Sequence, residues 1–227
     1  MHSVHAHDIM ARFRAQADPV NAGHQRQYHK AWREYLGLTV PAITRVVRDT
    51  LLVCPESDLP RLCRDLWATD VHEARAAVGK ILEHAKLGDL GWVWSFLCAV
   101  RTDLDGWAIA DHLAHGAFRC LREDPSCLDA MEADWLGHDS FWVRRCCLVY
   151  TLFLARKGQD PARPLQWASA LVDDKEWFIQ KAIGWWLREL SKHDPGRVRL
   201  FLDRYGPRMK PFARREGSKY LPTAEVS

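Results

Sequence analysis

Trp177-Phe178-Ile179-Gln180-Lys181 follows Phe141-Trp142-Val143-Arg144-Arg145 at an offset of 36 residues. The two strings agree in character position by position: two aromatics, a β-branched residue, a long polar side chain and a cation. A similar interval separates the aspartates Asp70, Asp105, Asp139 and Asp174, which stand 35, 34 and 35 residues apart. Each precedes an apolar stretch of helical period, where an aspartate is expected as a helix N-cap or first-turn acid. Shorter helices are expected between these, for example Arg163–Val172 after Asp160-Pro161. Two helices every 35 residues or so fall close to the helical-repeat periods of about 34 to 47 residues and predict an α-solenoid.

The rest of the chain agrees. Ile43, Val46, Val47 and Leu51 recur at three- and four-residue steps within Pro41–Cys54, and Val71–Lys86 and Trp177–Leu190 read the same way. No stretch alternates as a strand does. Lys157-Gly158, His193-Asp194-Pro195 and Tyr205-Gly206-Pro207 are helix stops. The expectation is an all-α chain forming a single domain over residues 1–227.

Composition narrows the classes. With 48% hydrophobic and 27% charged residues the chain is an ordinary globular protein, and no run approaches the roughly 20 apolar residues that span a bilayer. The polar start, Met1–Asp18, has no apolar signal core, so the expected location is cytoplasmic and no membrane partner is expected. The seven cysteines form no C-x-x-C pair, which argues against a zinc ribbon or a disulfide framework and for buried thiols. A net charge of +3 permits a nucleic-acid partner without demanding one. Eleven tryptophans are the unusual feature; most are expected in the core, and the surplus can line a surface that stacks on bases or cations.

A stacked solenoid has a concave face on which equivalent positions of successive repeats form a row. Asp111 lies six residues after Asp105, and Arg145 lies six after Asp139, so repeat equivalence sets them side by side on neighbouring helices. Lys181 is the equivalent of Arg145. Trp185 follows Lys181 by one turn, and Trp107 precedes Asp111 by one turn, each pair on a common face. The row holds one carboxylate, two cations and two indoles. Taken singly, an Arg–Asp pair between helices is more often a structural ion pair, and a tryptophan more often core. His112 and His115 are three apart on one helix but lack the further ligands of a metal site. Arg208, Lys210, Arg214, Arg215 and Lys219 form either a DNA-backbone patch or a solvated face.

Phe178-Ile179-Gln180-Lys181-Ala182-Ile183-Gly184-Trp185 followed by Leu187-Arg188-Glu189 resembles the signature of the AlkD-type DNA alkylation repair glycosylases. Tyr28-His29-Lys30 with Tyr35-Leu36-Gly37 resembles that family's N-terminal motif. Trp107-Ala108-Ile109-Ala110-Asp111 and Phe141-Trp142-Val143-Arg144-Arg145 resemble two more of its segments. The resemblance covers roughly residues 25–221 and implies a HEAT-like α-α repeat solenoid with a concave DNA-binding cleft. It implies that Asp111 is the catalytic carboxylate, with Trp107 and Trp185 cradling the lesion's deoxyribose and backbone and Tyr28 as a third aromatic. Arg145 would contact DNA, and Lys181, Arg214 and Arg215 complete the expected DNA-binding set. Ala108 departs from the pattern, since the family often has aspartate there.

The implied activity is hydrolysis of the N-glycosidic bond of cationic N3- or N7-alkylated purines in double-stranded DNA. It requires no cofactor, no metal and no obligate protein partner, and a monomer is expected. Alternatives are a catalytically inactive DNA-binding paralogue and a HEAT-type protein-interaction scaffold.

Overall fold

The computed structural model describes residues 4–222 of the chain, so residues 1–3 and 223–227 of the expected domain lie outside it. The chain packs as two compact units, Met1–Pro125 and Ser126–Ser227. The first holds α1 (Ala6–Arg14), α2 (Pro19–His29), α3 (Val40–Leu51), α4 (Leu59–Ala68), α5 (His72–His84), α6 (Gly91–Val100) and α7 (Trp107–Glu123). The second holds α8 (Cys127–Ala130), which runs on into a π-turn, then α9 (Phe141–Val149), α10 (Ala162–Ala170), α11 (Trp177–Ser191), α12 (Pro195–Tyr205) and α13 (Pro211–Gly217). Among the described residues there is no strand, only an isolated bridge between Glu34 and Val71. The architecture is all-helical and of the HEAT-like repeat kind.

The repeat is visible in where the longer helices start. His72 and Trp107 open α5 and α7, 35 residues apart; Phe141, Trp177 and Pro211 open α9, α11 and α13, 36 and 34 residues apart. The helices expected at Pro41–Cys54, Val71–Lys86, Arg163–Val172 and Trp177–Leu190 are α3, α5, α10 and α11, each within a few residues. The polar start also proves helical. The His- and Arg-rich start contains α1, whose Ile9, Met10 and Phe13 are buried at a three- to four-residue spacing.

The repeating aspartates do not act as expected. None of Asp70, Asp105, Asp139 or Asp174 caps its helix with its side chain; α5, α7, α9 and α11 begin two or three residues later at His72, Trp107, Phe141 and Trp177. Three of them instead clasp arginines. Arg33, only 5% exposed, donates to Asp70 at 2.5 Å and lies 2.6 Å from Asp105 Oδ2, and Arg144 reaches Asp174 at 2.8 Å. Desolvated guanidinium forks of this kind fix the joints between successive repeats. Asp139 contributes its backbone carbonyl to Arg144.

Close helix contact depends on two glycines. A Cβ on Gly79 of α5 would lie 2.6 Å from the carbonyl oxygen of His112 on α7, and one on Gly184 of α11 would lie 2.8 Å from that of Ala213 on α13. Both distances are well inside van der Waals contact, so only glycine lets these backbones meet. The core beneath is aliphatic and aromatic, with Leu62, Leu66, Ile81, Leu82 and Leu97 in the first unit and Trp135, Tyr150, Trp167 and Trp186 in the second.

Tryptophan usage departs from expectation. Four of the eleven (Trp67, Trp135, Trp167, Trp186) are buried, five are half-buried, and Trp177 and Trp32 are exposed. Among the described residues no disulfide joins the seven cysteines, five of which are buried, and no helix is long and apolar enough to cross a membrane.

Candidate functional site

In the first unit, three sequence-distant segments converge on α7. Glu73 of α5 is fully buried and accepts backbone N–H groups from Leu36, Gly37 and Leu38 at 2.8–3.1 Å. The same segment accepts from α2, through Asn21 Nδ2 to Gly37 at 2.6 Å and Gln25 Nε2 to Leu38 at 2.9 Å. That explains the Tyr35-Leu36-Gly37 motif: it is a strap tying α2 to α5. Because Gly79 in turn seats α5 on α7, Tyr28 at the end of α2 meets Trp107 at the start of α7, edge-on at 5.8 Å.

Trp107 and Asp111 stand one turn apart on α7 and line a cleft of about 400 Å³. Its other walls include Leu38, Val40 and Ile43, Ala76 and Lys80 of α5, and the histidines His29, His72, His112 and His115. The imidazoles form a column. His72 stacks on Tyr35 at 4.6 Å and on His29 at 4.9 Å, and His29 leans on Trp107 at 5.2 Å. Burial pushes His72 down to about 3, helped by the fields of His29, His112 and Arg33. Burial likewise pushes His112 down to about 4, helped by Lys80 and opposed by Glu83. Both are neutral at pH 7, so the deep wall offers hydrogen-bonding groups without positive charge. Lys80 is held by Glu83 at 2.6 Å. Ala108 also lines the cleft, so a carboxylate at that position would occupy part of it. His115 is half-exposed beside Glu83, and among the described residues no three His, Cys, Asp or Glu side chains gather as metal ligands.

In the second unit the Gln-Lys-Ala-Ile-Gly-Trp string has a physical reading. Gln180 is buried; its amide donates to the carbonyls of Val172 and Asp174 at 2.8 and 3.0 Å, and its oxygen accepts from the Lys210 backbone at 2.9 Å. Ala182 and Ile183 enter the core, and Gly184 seats α13. What remains outward is Lys181, 3.9 Å from Glu216, and half-buried Trp185 one turn on. An aromatic row crosses the starts of three helices: Phe141 faces Phe178 at 6.4 Å, and Trp177 stacks on Phe212 at 5.3 Å. Arg145 is buried to 3% exposure, whereas Arg214 and Arg215 of α13 are exposed. Of the other basic residues near the C-terminus, Arg208 is paired with Asp173 and Lys210 donates to the Lys175 carbonyl.

Thus Tyr28, Trp107 and Asp111 come together in the first unit, and Arg145, Lys181, Trp185, Arg214 and Arg215 belong to the second. The sequence reading missed His29, His72, Lys80 and the Arg33 clasp. His72 carried a usable signal, since it precedes Trp107 by 35 residues and is its repeat equivalent. The stack of His29, Tyr35 and His72 had none, because three segments must fold together to form it.

Fold and side chains define a helical-repeat protein that carries an indole–carboxylate cleft in one unit and an aromatic and cationic surface in the other. Residues 9–221 match the family described as DNA alkylation repair enzyme, and the chain belongs to that family. A solved structure from Enterococcus faecalis, described as a "Predicted DNA alkylation repair enzyme", has the same fold. Its TM-score is 0.76, covering 92% of this chain and 98% of that one at 24% identity. No curated protein matches in sequence.

Proposed function

We propose that the protein is an AlkD-type, monofunctional DNA glycosylase that releases cationic N3- and N7-alkylated purines from duplex DNA, acting as a monomer in the cytoplasm. The observation that carries the reading is the Asp111 carboxylate one turn from Trp107, in a cleft whose lining includes the neutral imidazoles of His72 and His112.

Alkylation at a ring nitrogen makes the purine cationic and weakens its N-glycosidic bond. As the bond breaks, its electron pair passes to the base, which leaves neutral, and positive charge develops at the sugar C1′ as in glycoside hydrolysis. Asp111 stabilises that charge and positions a water whose oxygen bonds to C1′; the carboxylate takes the water's proton, leaving an abasic site. Trp107, braced by Tyr28, offers an indole face to the electron-poor sugar. Neutral His72 and His112 add no repulsion to a cationic substrate. In this reading Trp185 and Lys181 engage the DNA backbone, Arg214 and Arg215 meet phosphates, and Arg145 supports them from within. No step calls for a metal or organic cofactor.

The test is incubation with duplex DNA carrying one 7-methylguanine, followed by scoring of alkali-labile abasic sites. Strand breaks at the lesion that grow with enzyme and time are expected. DNA binding without breaks would instead describe an inactive DNA-binding paralogue, and neither binding nor breaks would describe a protein-interaction scaffold.

A further inference from the structure

We propose that Trp32, flanked by Arg26 and Lys30, is a DNA-contacting residue that packs its indole against the duplex beside the Trp107–Asp111 cleft. The proposal rests on the DNA-directed reading above and extends its contact surface to a segment to which no role has been given.

Trp32 is 83% exposed, the most open aromatic side chain among the described residues, and no ring among them shields it. An indole left in water is unfavourable and needs a reason. Looseness of the chain is not the reason. Ala31 and Arg33 on either side are both buried. Arg33 is gripped by Asp70 and Asp105, the residues just ahead of α5 and α7, and donates as well to the Asp103 carbonyl. One residue further, the Glu34 carbonyl accepts from His72 N–H at 2.9 Å. The backbone is therefore fixed on both flanks while the indole between them faces solvent.

Its surroundings identify the partner. Four residues earlier Tyr28, itself 70% exposed, rests on Trp107. Ala31, next to Trp32, lines a small pocket with Trp107 and Asp105 beside the cleft, and Arg33 on the other side ties the segment to the start of the helix that carries Asp111. Arg26 and Lys30 are exposed, and among the described residues their side chains have no hydrogen-bond or ion-pair partner. Lys30 adopts φ 58°, a left-handed conformation that ends α2 and turns the chain toward Trp32. Two unneutralised cations interleaved with two exposed aromatics are what a nucleic-acid backbone and its sugars or bases recognise. An apolar protein partner would gain nothing from the cations.

The experiment measures binding of the full chain to a labelled duplex containing one tetrahydrofuran abasic analogue, by anisotropy over a salt series. Trp32→Ala is expected to weaken binding roughly tenfold, as loss of one aromatic–base contact does. The slope against salt should be unchanged because an indole carries no charge, and Trp32→Phe should recover most of the affinity. Lys30→Ala is expected to lower the slope by about one. Unaltered melting of Trp32→Ala separates contact from folding. Trp32→Ala binding within twofold of wild type, by a wild-type protein that does release 7-methylguanine, overturns the assignment of Trp32 and leaves the glycosylase reading intact. A wild-type protein that binds no duplex removes both.

Discussion

Acid should unfold this protein through its buried histidines. His72 is held at about 3 and His112 at about 4, against 6.5 in an unfolded chain. Both folded values are depressed, so the folded state binds fewer protons than the unfolded state below pH 6.5. The stability they contribute is full above that pH and is lost as pH falls toward 4. At pH 5 each unfolded imidazole gains about 2 kcal/mol from protonation that its folded counterpart forgoes, giving about 4 kcal/mol for the two. Urea denaturation at pH 7.5 and pH 5.0 measures the difference, with most of it expected between pH 6.5 and 5. In His72→Phe, which keeps a ring against Tyr35, the acid loss should fall to about half. A loss below about 1 kcal/mol in the wild type, or an undiminished loss in His72→Phe, would refute the claim that these imidazoles are buried neutral.

Three further outcomes follow from the geometry. Gly79→Ala forces α5 off the His112 carbonyl; the expected cost is about 2 kcal/mol, a fall of roughly 4–8 °C in thermal melting, with weaker excision as Trp107 shifts from Tyr28. Arg145→Ala should lower the melting temperature and leave the salt slope of DNA binding unchanged, because this cation is buried and acts from within; a slope lowered by about one would instead make it a direct phosphate contact. Trp107→Ala and Trp185→Ala should each slow release of cationic bases in single-turnover assays by the equivalent of about 0.5–2 kcal/mol, and unchanged rates would remove the indole faces from the mechanism.

Much of the fold could be read from spacing. The 35-residue interval and the matched strings at 141 and 177 mark real helix starts, because a repeat that buries the same face must carry the same periodicity. The aspartates were legible as repeat markers but not in their role, since their arginine partners lie 30 to 72 residues away. The tryptophans misled because burial is a tertiary property; five half-buried indoles cannot be told from core residues by sequence. Tyr28, Trp107 and Asp111 were named from motifs. That Tyr28 braces Trp107, and that histidines wall the cleft, depend on the strap of Leu36–Leu38 across Glu73, a buried carboxylate that periodicity alone would place at random.

The most direct test compares Asp111→Asn with wild type on two duplexes, one carrying a single 7-methylguanine and one a single uracil, under saturating enzyme. Wild type should release 7-methylguanine and leave uracil, whose neutral base has no weakened bond. Asp111→Asn should bind the 7-methylguanine duplex as tightly as wild type but release the base orders of magnitude more slowly, because the carboxylate acts on charge present only in the transition state. Near-wild-type excision by Asp111→Asn, or efficient removal of uracil by the wild type, would contradict the mechanism.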